Sequence, residues 1–297
     1  MKGASHNKPD FIIIGAMKCA TSTVHDQLSM HDPFFMTTPK EPNFFSDDEI
    51  YAKGFGWYGS LFANADTGQL KGESSTHYTK LPKYPETVER LVEYCPDVKC
   101  IYIMRHPVDR LVSHYIHEWT QGAISCDINE AVSRHPELVE FSRYNMQLEP
   151  YLKTFGHKSV LPMFTERLKD NPLRELQVIF DFLDVFEKPV WQPDIISNVS
   201  AERLRACAWR DAIVNSPLLK FIRRTFVPKS VRTRIRKLWT MQERPSLAPD
   251  TVQNLEVIFN RDLSLLSQKL GLELNCGNFK NMVISAYKIK WTDPALS

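Results

Sequence analysis

The stretch DFIIIGAMKCATST, residues 10–23, contains the residue types most able to do chemistry. It joins a short apolar run to a hydroxyl-rich helical pattern, and the turn between them carries one lysine, Lys18, three positions after Gly15. In a Walker A loop, G-x-x-x-x-G-K-[ST], the lysine comes later, directly after a second glycine. The spacing therefore argues against an ATP or GTP site and favours a loop that binds a single anionic group.

The start of the predicted helix supplies further donors for that anion. Backbone N–H groups at a helix N-terminus have no partner within the helix, so they bind anions readily. The residues expected to surround the anion are those of the turn and the first helical residues: Lys18, Cys19, Ala20, Thr21, Ser22 and Thr23. The alternative is an ordinary strand-to-helix turn in which Thr21 or Ser22 caps the helix and Lys18 points to solvent.

A second stretch, IYIMRHPVDRLVSHYIHEW, has a similar arrangement. Arg105 leaves an apolar run, Pro107 suits the first position of a helix, and Ser113 follows about two turns into that helix. An arginine beside a helical serine can hold a phosphate through charge-assisted hydrogen bonds. The alternative makes Arg105 a surface cation that pairs with Asp109.

The hydrophobic pattern predicts an α/β fold that brings the two stretches together. Continuous apolar, β-branched runs indicate buried parallel strands at 11–15, 98–104 and 158–164. Helical patterns lie at 84–97, 144–156, 173–182 and 250–270. In a doubly wound parallel sheet, ligands bind outside the carboxyl ends of the strands, where Lys18 and Arg105 both fall. We expect one domain over 1–297, with an α/β core at 9–185 and a mainly helical region at 186–297.

The composition narrows the class of protein. The chain has 297 residues, and its 37 lysines and arginines against 35 aspartates and glutamates give a formal charge of +2, which argues against a protein built to coat nucleic acid. No apolar run reaches the roughly 18 residues that span a bilayer, so we expect a soluble, cytoplasmic protein without a transmembrane segment. The six cysteines include no C-x-x-C pair, which favours reduced thiols over a zinc site or disulfides.

Four separated segments together resemble one enzyme family. They are GAMKCATST, KEPNFFS at 40–46, the element from Arg105 to Ser113, and YNMQLEPYLKTFGHKSVLPMFTERL. In this order they are similar to segments of the sulfotransferases that use 3′-phosphoadenosine 5′-phosphosulfate (PAPS), especially the branch of the heparan sulfate sulfotransferases and its bacterial relatives. The resemblance covers residues 9–185. It implies PAPS as the sulfuryl donor, 3′-phosphoadenosine 5′-phosphate (PAP) as the product, a P-loop-like parallel sheet flanked by helices, and no metal.

The resemblance implies a nucleotide-binding role for several residues. The first loop would hold the 5′-phosphosulfate, with Lys18 stabilising the phosphate that leaves. Arg105 and Ser113 would hold the 3′-phosphate. Asn198 and Arg203 lie in a stretch similar to one found in bacterial relatives and would be further contacts to the nucleotide.

For the acceptor, the resemblance implies roles for fewer residues. Glu41 matches the glutamate that would take the acceptor's proton, enclosed by the two phenylalanines that follow it, and His77 is the competing base. Where the heparan branch shows Glu-Lys-Ser/Thr-Pro, this chain has ESST, with Ser74 in place of a lysine that helps to bind a charged acceptor. We therefore expect the acceptor to be a hydroxyl, less often an amine, of a small-molecule natural product or sugar. A polysaccharide is the alternative.

Two further features have competing interpretations. His114, His117 and Glu118 form H-x-x-H-E, which is not the H-E-x-x-H pattern of zinc enzymes, so we expect them to flank the cofactor helix or face solvent. The basic and apolar stretch 218–239 is expected to be a solvated helix face. Its alternative is attachment to a membrane surface, an acidic carrier or nucleic acid, which would describe a binding protein instead of an enzyme.

Overall fold

Five parallel strands form the centre of the structure, a computed structural model that describes residues 8–194 and 243–292. The strands are β1 Phe11–Gly15, β2 Phe34–Met36, β3 Leu70–Ser74, β4 Lys99–Met104 and β5 Val160–Phe164. Their order in the sheet is β2-β3-β1-β4-β5, and each neighbouring pair is parallel. The predicted strands correspond to β1, β4 and β5, whereas β2 and β3 are not anticipated by the hydrophobic pattern.

Helices cover the sheet and confirm the predicted α/β class. They are α1 Thr21–Leu28, α2 Asp48–Tyr51, α3 Gly54–Ser60, α4 Thr87–Tyr94, α5 Pro107–Gln121, α6 Ile128–Arg134, α7 Glu137–Glu140, α8 Tyr144–Phe155, α9 Thr165–Asp170, α10 Pro172–Phe182, α11 Pro249–Leu270 and α12 Phe279–Ser285. Short 3₁₀ turns occupy Thr76–Thr79 and His157–Ser159. None of these described helices is both long and apolar enough to cross a membrane.

Strand β3 escapes sequence prediction because its residues, LKGES, are mostly polar or small. Gly72 of this strand lies opposite Phe11 of β1, and a Cβ atom added there would lie 2.3 Å from the Phe11 ring. The ring therefore occupies the space that a side chain at position 72 would need. A strand that must accommodate a neighbour's aromatic ring in this way does not show the apolar run that marks β1 and β4.

The topology places three loops at one edge of the sheet. Strands β3, β1 and β4 are adjacent and parallel, so the residues that follow Ser74, Gly15 and Met104 all leave the sheet on the same side. This is the crevice in which open α/β sheets bind ligands. It is also the position that the sequence predicts for Lys18 and Arg105.

The described part of the C-terminal region packs against the α/β core. Helix α11 contacts α8 and α5. The buried Asp262 carboxylate of α11 accepts the backbone N–H groups of Asn145 at 2.8 Å and Met146 at 3.1 Å, so it caps the N-terminus of α8. The predicted contacts Asn198 and Arg203, and the basic stretch 218–239, lie outside the described residues.

Candidate active site

The loop between β1 and α1 is a tight turn held by its own backbone. The N–H group of Ala16 donates to the carbonyl of Ile103 at 2.8 Å, and that of Cys19 donates to the carbonyl of Ala16 at 3.1 Å. Lys18 and Ala20 have positive φ values of 69° and 64°, a region that residues other than glycine rarely adopt outside functional sites. The turn therefore holds a conformation that its surroundings must support.

Helix α1 starts at Thr21 without a side-chain cap. This finding rejects the alternative in which Thr21 or Ser22 caps an ordinary turn. Lys18 is half-buried instead of pointing freely to solvent. The first turn of α1 thus combines a helix N-terminus with a partly dehydrated ammonium, which is a suitable arrangement for an anion.

Lys18 lies among both positive and negative neighbours. Burial lowers the pKa of Lys18, and the nearby Arg105 lowers it further, whereas the carboxylates of Glu118 and Glu41 act to raise it. The opposing effects show that two carboxylates and a guanidinium all lie within electrostatic reach of this ammonium. Lys18 and Glu41, which the sequence singles out from distant segments, are therefore part of one site.

A second lysine, not predicted as a site residue, also reaches the start of α1. Nζ of Lys40 donates a hydrogen bond to Oγ of Ser22. Burial lowers the pKa of Lys40, while Glu41 and Asp26 favour its charged form. The KEPNFFS segment therefore contributes a cation to the anion-binding turn as well as the carboxylate of Glu41. In the sequence, Lys40 could have been identified from its position directly before Glu41.

Arg105 connects the two predicted stretches. Its Nη1 donates to the carbonyl of Lys18 at 3.4 Å, and the hydroxyl of Tyr144 donates to the Arg105 carbonyl at 2.6 Å. The alternative, an ion pair with Asp109, does not form within the described residues: that carboxylate lies 2.7 Å from Nζ of Lys280 and 3.3 Å from Nη2 of Arg244, and Arg105 acts on it only at longer range. The guanidinium of Arg105 is thus turned toward the loop that carries Lys18.

Ser113 occupies the predicted position on α5. The helix begins at Pro107 and runs to Gln121, so Ser113 lies about two turns from its start. The side chain is half-buried, and within the described ranges its hydroxyl makes no hydrogen bond. The assignment of Ser113 to a phosphate remains a prediction.

Glu41 is fixed to the end of β3 by hydrogen bonds. Oγ1 of Thr76 donates to its Oε2 at 3.2 Å, and two residues later the N–H group of Asn43 donates to Oγ of Ser75 at 3.0 Å. Glu41 and Asn43 both have positive φ, 58° and 53°. The segment is therefore strained and held by specific contacts, as expected for a residue whose side chain must be positioned accurately.

The two phenylalanines after Glu41 anchor its segment in the core. Phe44 and Phe45 are fully buried. Phe44 stacks on Tyr58 with ring centroids 4.6 Å apart, and Phe45 meets the same ring edge-on at 5.0 Å. Tyr58 and Tyr78 are also buried core residues. The aromatic cluster thus anchors the segment that carries Glu41.

The competing base, His77, has different surroundings. Its ring stacks on Tyr84 with centroids 5.0 Å apart. Burial, followed by the nearby Lys80 and Lys83, lowers the pKa of His77 to about 4. Of the two candidate bases, Glu41 is the one that acts electrostatically on Lys18.

The H-x-x-H-E motif lies on the face of α5 that adjoins this site. His114 is buried, and its Nε2 lies 3.3 Å from Oε1 of Glu118. Burial lowers the pKa of His114 to about 4, and the interaction with His114 lowers the pKa of Glu118. In the part of the chain that the structure describes, no group of three or more His, Cys, Asp or Glu side chains is arranged to hold a metal ion. His114 therefore positions Glu118 near Lys18.

Known proteins are similar to this chain in sequence and in fold. Over 190 residues it is 29% identical to heparan sulfate glucosamine 3-O-sulfotransferase 5 of Mus musculus, covering 60% of this chain and 54% of the relative. It is 26% identical over 199 residues to the bifunctional heparan sulfate N-deacetylase/N-sulfotransferase 2 of the same species, covering 60% and 22%. The chain thus spans about half the length of the curated 3-O-sulfotransferase that it matches.

A solved sulfotransferase from Alicyclobacillus acidocaldarius superposes with a TM-score of 0.55 at 26% sequence identity, covering 63% of this chain and 88% of that one. The family model described as the sulfotransferase domain matches residues 8–265. This match includes the loop of Lys18, the segment of Glu41 and the element of Arg105. The chain belongs to the sulfotransferase domain family.

Proposed function

We propose that this protein transfers the sulfuryl group of PAPS to an acceptor hydroxyl. The observation that carries the proposal is the placement of Lys18 and Lys40 at the uncapped start of α1, with Arg105 bonded to the loop that leads into it, in a chain of the sulfotransferase domain family. The residues fit the donor because two lysines and the N–H groups of a helix start can bind one anion. The arginine that follows the neighbouring strand β4 can bind a second anion.

When bound, PAPS supplies a sulfuryl group attached to a phosphate leaving group, and its transfer depends on in-line positioning and charge stabilisation. The ammonium of Lys18 would neutralise the charge that develops on the bridging oxygen. The first residues of α1, with the hydroxyls of Thr21 and Ser22, would hold the 5′-phosphate. Arg105 and Ser113 would hold the 3′-phosphate.

We assign the acceptor's proton to Glu41. One of its oxygens accepts from Thr76 at 3.2 Å, which orients the carboxylate and leaves the second oxygen for the acceptor. Its interaction with Lys18 places the base close to the group that stabilises the leaving phosphate. His77 is the weaker candidate because its ring stacks on Tyr84 and it is not among the groups that act on Lys18.

For the acceptor we propose a saccharide hydroxyl. The support comes from the relatives, whose names describe sulfotransferases of heparan sulfate. A hydroxyl of a small-molecule natural product is the alternative, favoured by the serine at position 74, which replaces the lysine that the heparan branch uses for a charged acceptor. Position 74 is fully buried in this chain.

The test is a measurement of PAP released from PAPS in the presence of a metal chelator. Candidate acceptors are heparan-type oligosaccharides and small hydroxylated natural products, each compared with a reaction that lacks acceptor. We expect PAP release that depends on the acceptor and is insensitive to the chelator. Turnover of ATP that the chelator abolishes, with no release of PAP from PAPS, would contradict the proposal and favour a kinase.

A further inference from the structure

One buried lysine at the site has no role in the mechanism above. Lys80 is only 9% exposed. Within the described residues its ammonium forms no ion pair and no hydrogen bond, and its recorded contact is with the ring of Phe141, whose centroid lies 5.9 Å from Nζ. Most of the Lys80 side chain is therefore buried, while its ammonium is not among the fully buried polar atoms and keeps access to solvent, so an anion of a ligand can reach it.

The backbone on both sides of Lys80 is fixed. On one side, Oγ1 of Thr79 donates to the carbonyl of Ile14 at 2.8 Å, which attaches the chain to the end of β1. On the other, Leu81 and the side-chain amide of Gln147 exchange two hydrogen bonds of 2.8 and 2.9 Å. Lys80 is therefore a lysine on a rigid support, next to the strand that leads into the Lys18 loop.

Gly15 is what permits this close approach. A Cβ atom at that position would lie 2.0 Å from Oγ1 of Thr79. The glycine that opens the anion-binding loop thus also allows the 3₁₀ turn to attach to β1, so the loop and Lys80 are built on the same strand end.

The 3₁₀ turn that directly precedes Lys80 also holds Glu41, because Oγ1 of Thr76 donates to Oε2 of Glu41 at 3.2 Å. Burial lowers the pKa of Lys80 to about 8, and the nearby carboxylates of Glu41 and Glu118 act to raise it. The same two carboxylates act on Lys18. Lys80 is thus within electrostatic reach of the same two carboxylates as Lys18.

Position 74 itself supplies no cation. Ser74 is fully buried, and its hydroxyl is 2.8 Å from Nδ1 of His25, so it is engaged inside the protein. Lys80, six residues further along the chain, is a cation that directly follows the same β3-to-3₁₀ segment.

We propose that Lys80 binds an anionic oxygen of a ligand at the transfer site, either of the donor's sulfuryl group or of an acid group on the acceptor. The proposal rests on the proposed function and adds a specificity-determining residue to it. Its physical basis is an accessible ammonium on a largely buried side chain, which is supported by a fixed backbone and follows the 3₁₀ turn that holds Glu41.

The test compares Lys80→Met with Lys83→Met, a matched change at an exposed lysine three residues away. Calorimetry would measure the affinity of each variant for PAP and for PAPS. With PAP bound, it would then measure the affinity for a heparosan tetrasaccharide and for the same tetrasaccharide with its carboxyl groups reduced. The comparison of PAP with PAPS isolates the contribution of the donor's sulfuryl group. The comparison of the two tetrasaccharides isolates the contribution of an acid group on the acceptor.

We expect Lys80→Met to bind PAP with the affinity of the wild type. Its affinity for either PAPS or the carboxylated tetrasaccharide should fall about tenfold. A loss for PAPS assigns Lys80 to the donor, and a loss for the carboxylated tetrasaccharide alone assigns it to the acceptor. Lys83→Met should match the wild type. The proposal would be overturned if Lys80→Met bound all four ligands with the affinity of the wild type. It would also be overturned if the two proteins bound PAPS equally and neither of them bound either tetrasaccharide. Failure of the wild type to bind PAP would instead overturn the proposed function and this proposal with it.

Discussion

The nucleotide side and the acceptor side of the candidate site are built in different ways. The proposed nucleotide side consists of the residues that follow two adjacent strands, β1 and β4, and its contacts include the backbone bond from Ala16 to Ile103 and the bond from the Arg105 guanidinium to the Lys18 carbonyl. The acceptor side is assembled from segments distant in sequence and held by side chains, as in the bond from Thr76 to Glu41. The first can be inferred from local sequence, whereas the second exists only in the folded chain.

This difference predicts a separation of effects. Changes on the nucleotide side should alter the affinity for PAP. Changes on the acceptor side should alter transfer or acceptor binding and leave the affinity for PAP intact. Lys18 lies where the two sides meet, because both Arg105 and the carboxylates of Glu41 and Glu118 act on it.

The largest effect is expected for Lys18→Ala. Removing a cation aimed at charge that develops during transfer should lower the rate of sulfuryl transfer on the order of 10²–10³-fold. The affinity for PAP should fall much less, because the helix N-terminus and Arg105 remain. Transfer of radiolabelled sulfuryl from PAPS would measure the rate, with the exposed Lys158→Ala as control. A Lys18→Ala enzyme with the wild-type rate would remove Lys18 from the mechanism.

The next effect separates the two candidate bases. Glu41→Gln keeps the size of the side chain but removes its ability to take a proton, so single-turnover transfer should slow by about 10²-fold with unchanged affinity for PAP. His77→Gln should change the rate by only a few fold. If Glu41→Gln keeps its full single-turnover rate and His77→Gln loses it, the base is His77 and not Glu41.

Arg105→Ala should act on binding. Loss of charge-assisted hydrogen bonds worth about 1.5–3 kcal/mol weakens PAP binding by roughly 10–100-fold. The affinity for 5′-AMP, which lacks the 3′-phosphate, should be unaltered. The exposed Arg134→Ala, which only loses a surface ion pair with Glu130, is the matched control. Equal loss of affinity for PAP and 5′-AMP would show that Arg105 does not bind the 3′-phosphate.

The smallest effect on activity is expected for Glu73, whose change should alter stability instead. Glu73, at the end of β3, is fully buried, and both its oxygens lack a hydrogen bond of regular geometry within the described residues. Burial raises the pKa of Glu73 from 4.5 to about 8, although the nearby hydroxyls of Tyr78 and Tyr58 offset part of that rise. In the unfolded chain this carboxyl ionises at lower pH than in the folded protein.

The free energy of unfolding should therefore fall as pH rises from about 5 to 8, and Glu73→Gln should lack this component. Denaturant unfolding of both proteins at the two pH values would show the variant gaining stability relative to the wild type at the higher pH. Its affinity for PAP should not change. The same difference in stability at both pH values would mean that the Glu73 carboxyl ionises as readily in the folded protein as in the unfolded one.

Sequence alone predicts the nucleotide side because periodicity and helix-start rules act over short distances. Strands β1, β4 and β5 and the positions of Lys18 and Arg105 follow from apolar runs that end in polar turns. The same rules do not find β3, in which Gly72 makes room for the ring of Phe11. Nor do they show that Glu118 acts on Lys18, because nothing local in sequence indicates which residues meet across the crevice.

The central claim is that this crevice recognises a nucleotide with phosphates at both the 5′ and 3′ positions. The most direct test is calorimetric titration of the purified protein with PAP and with 5′-AMP in the absence of metal. We expect PAP to bind at least roughly tenfold more tightly, because only PAP can engage Arg105 as well as the Lys18 loop. Equal affinities for the two nucleotides, or no binding of PAP, would contradict the assignment of the loop and of Arg105 together.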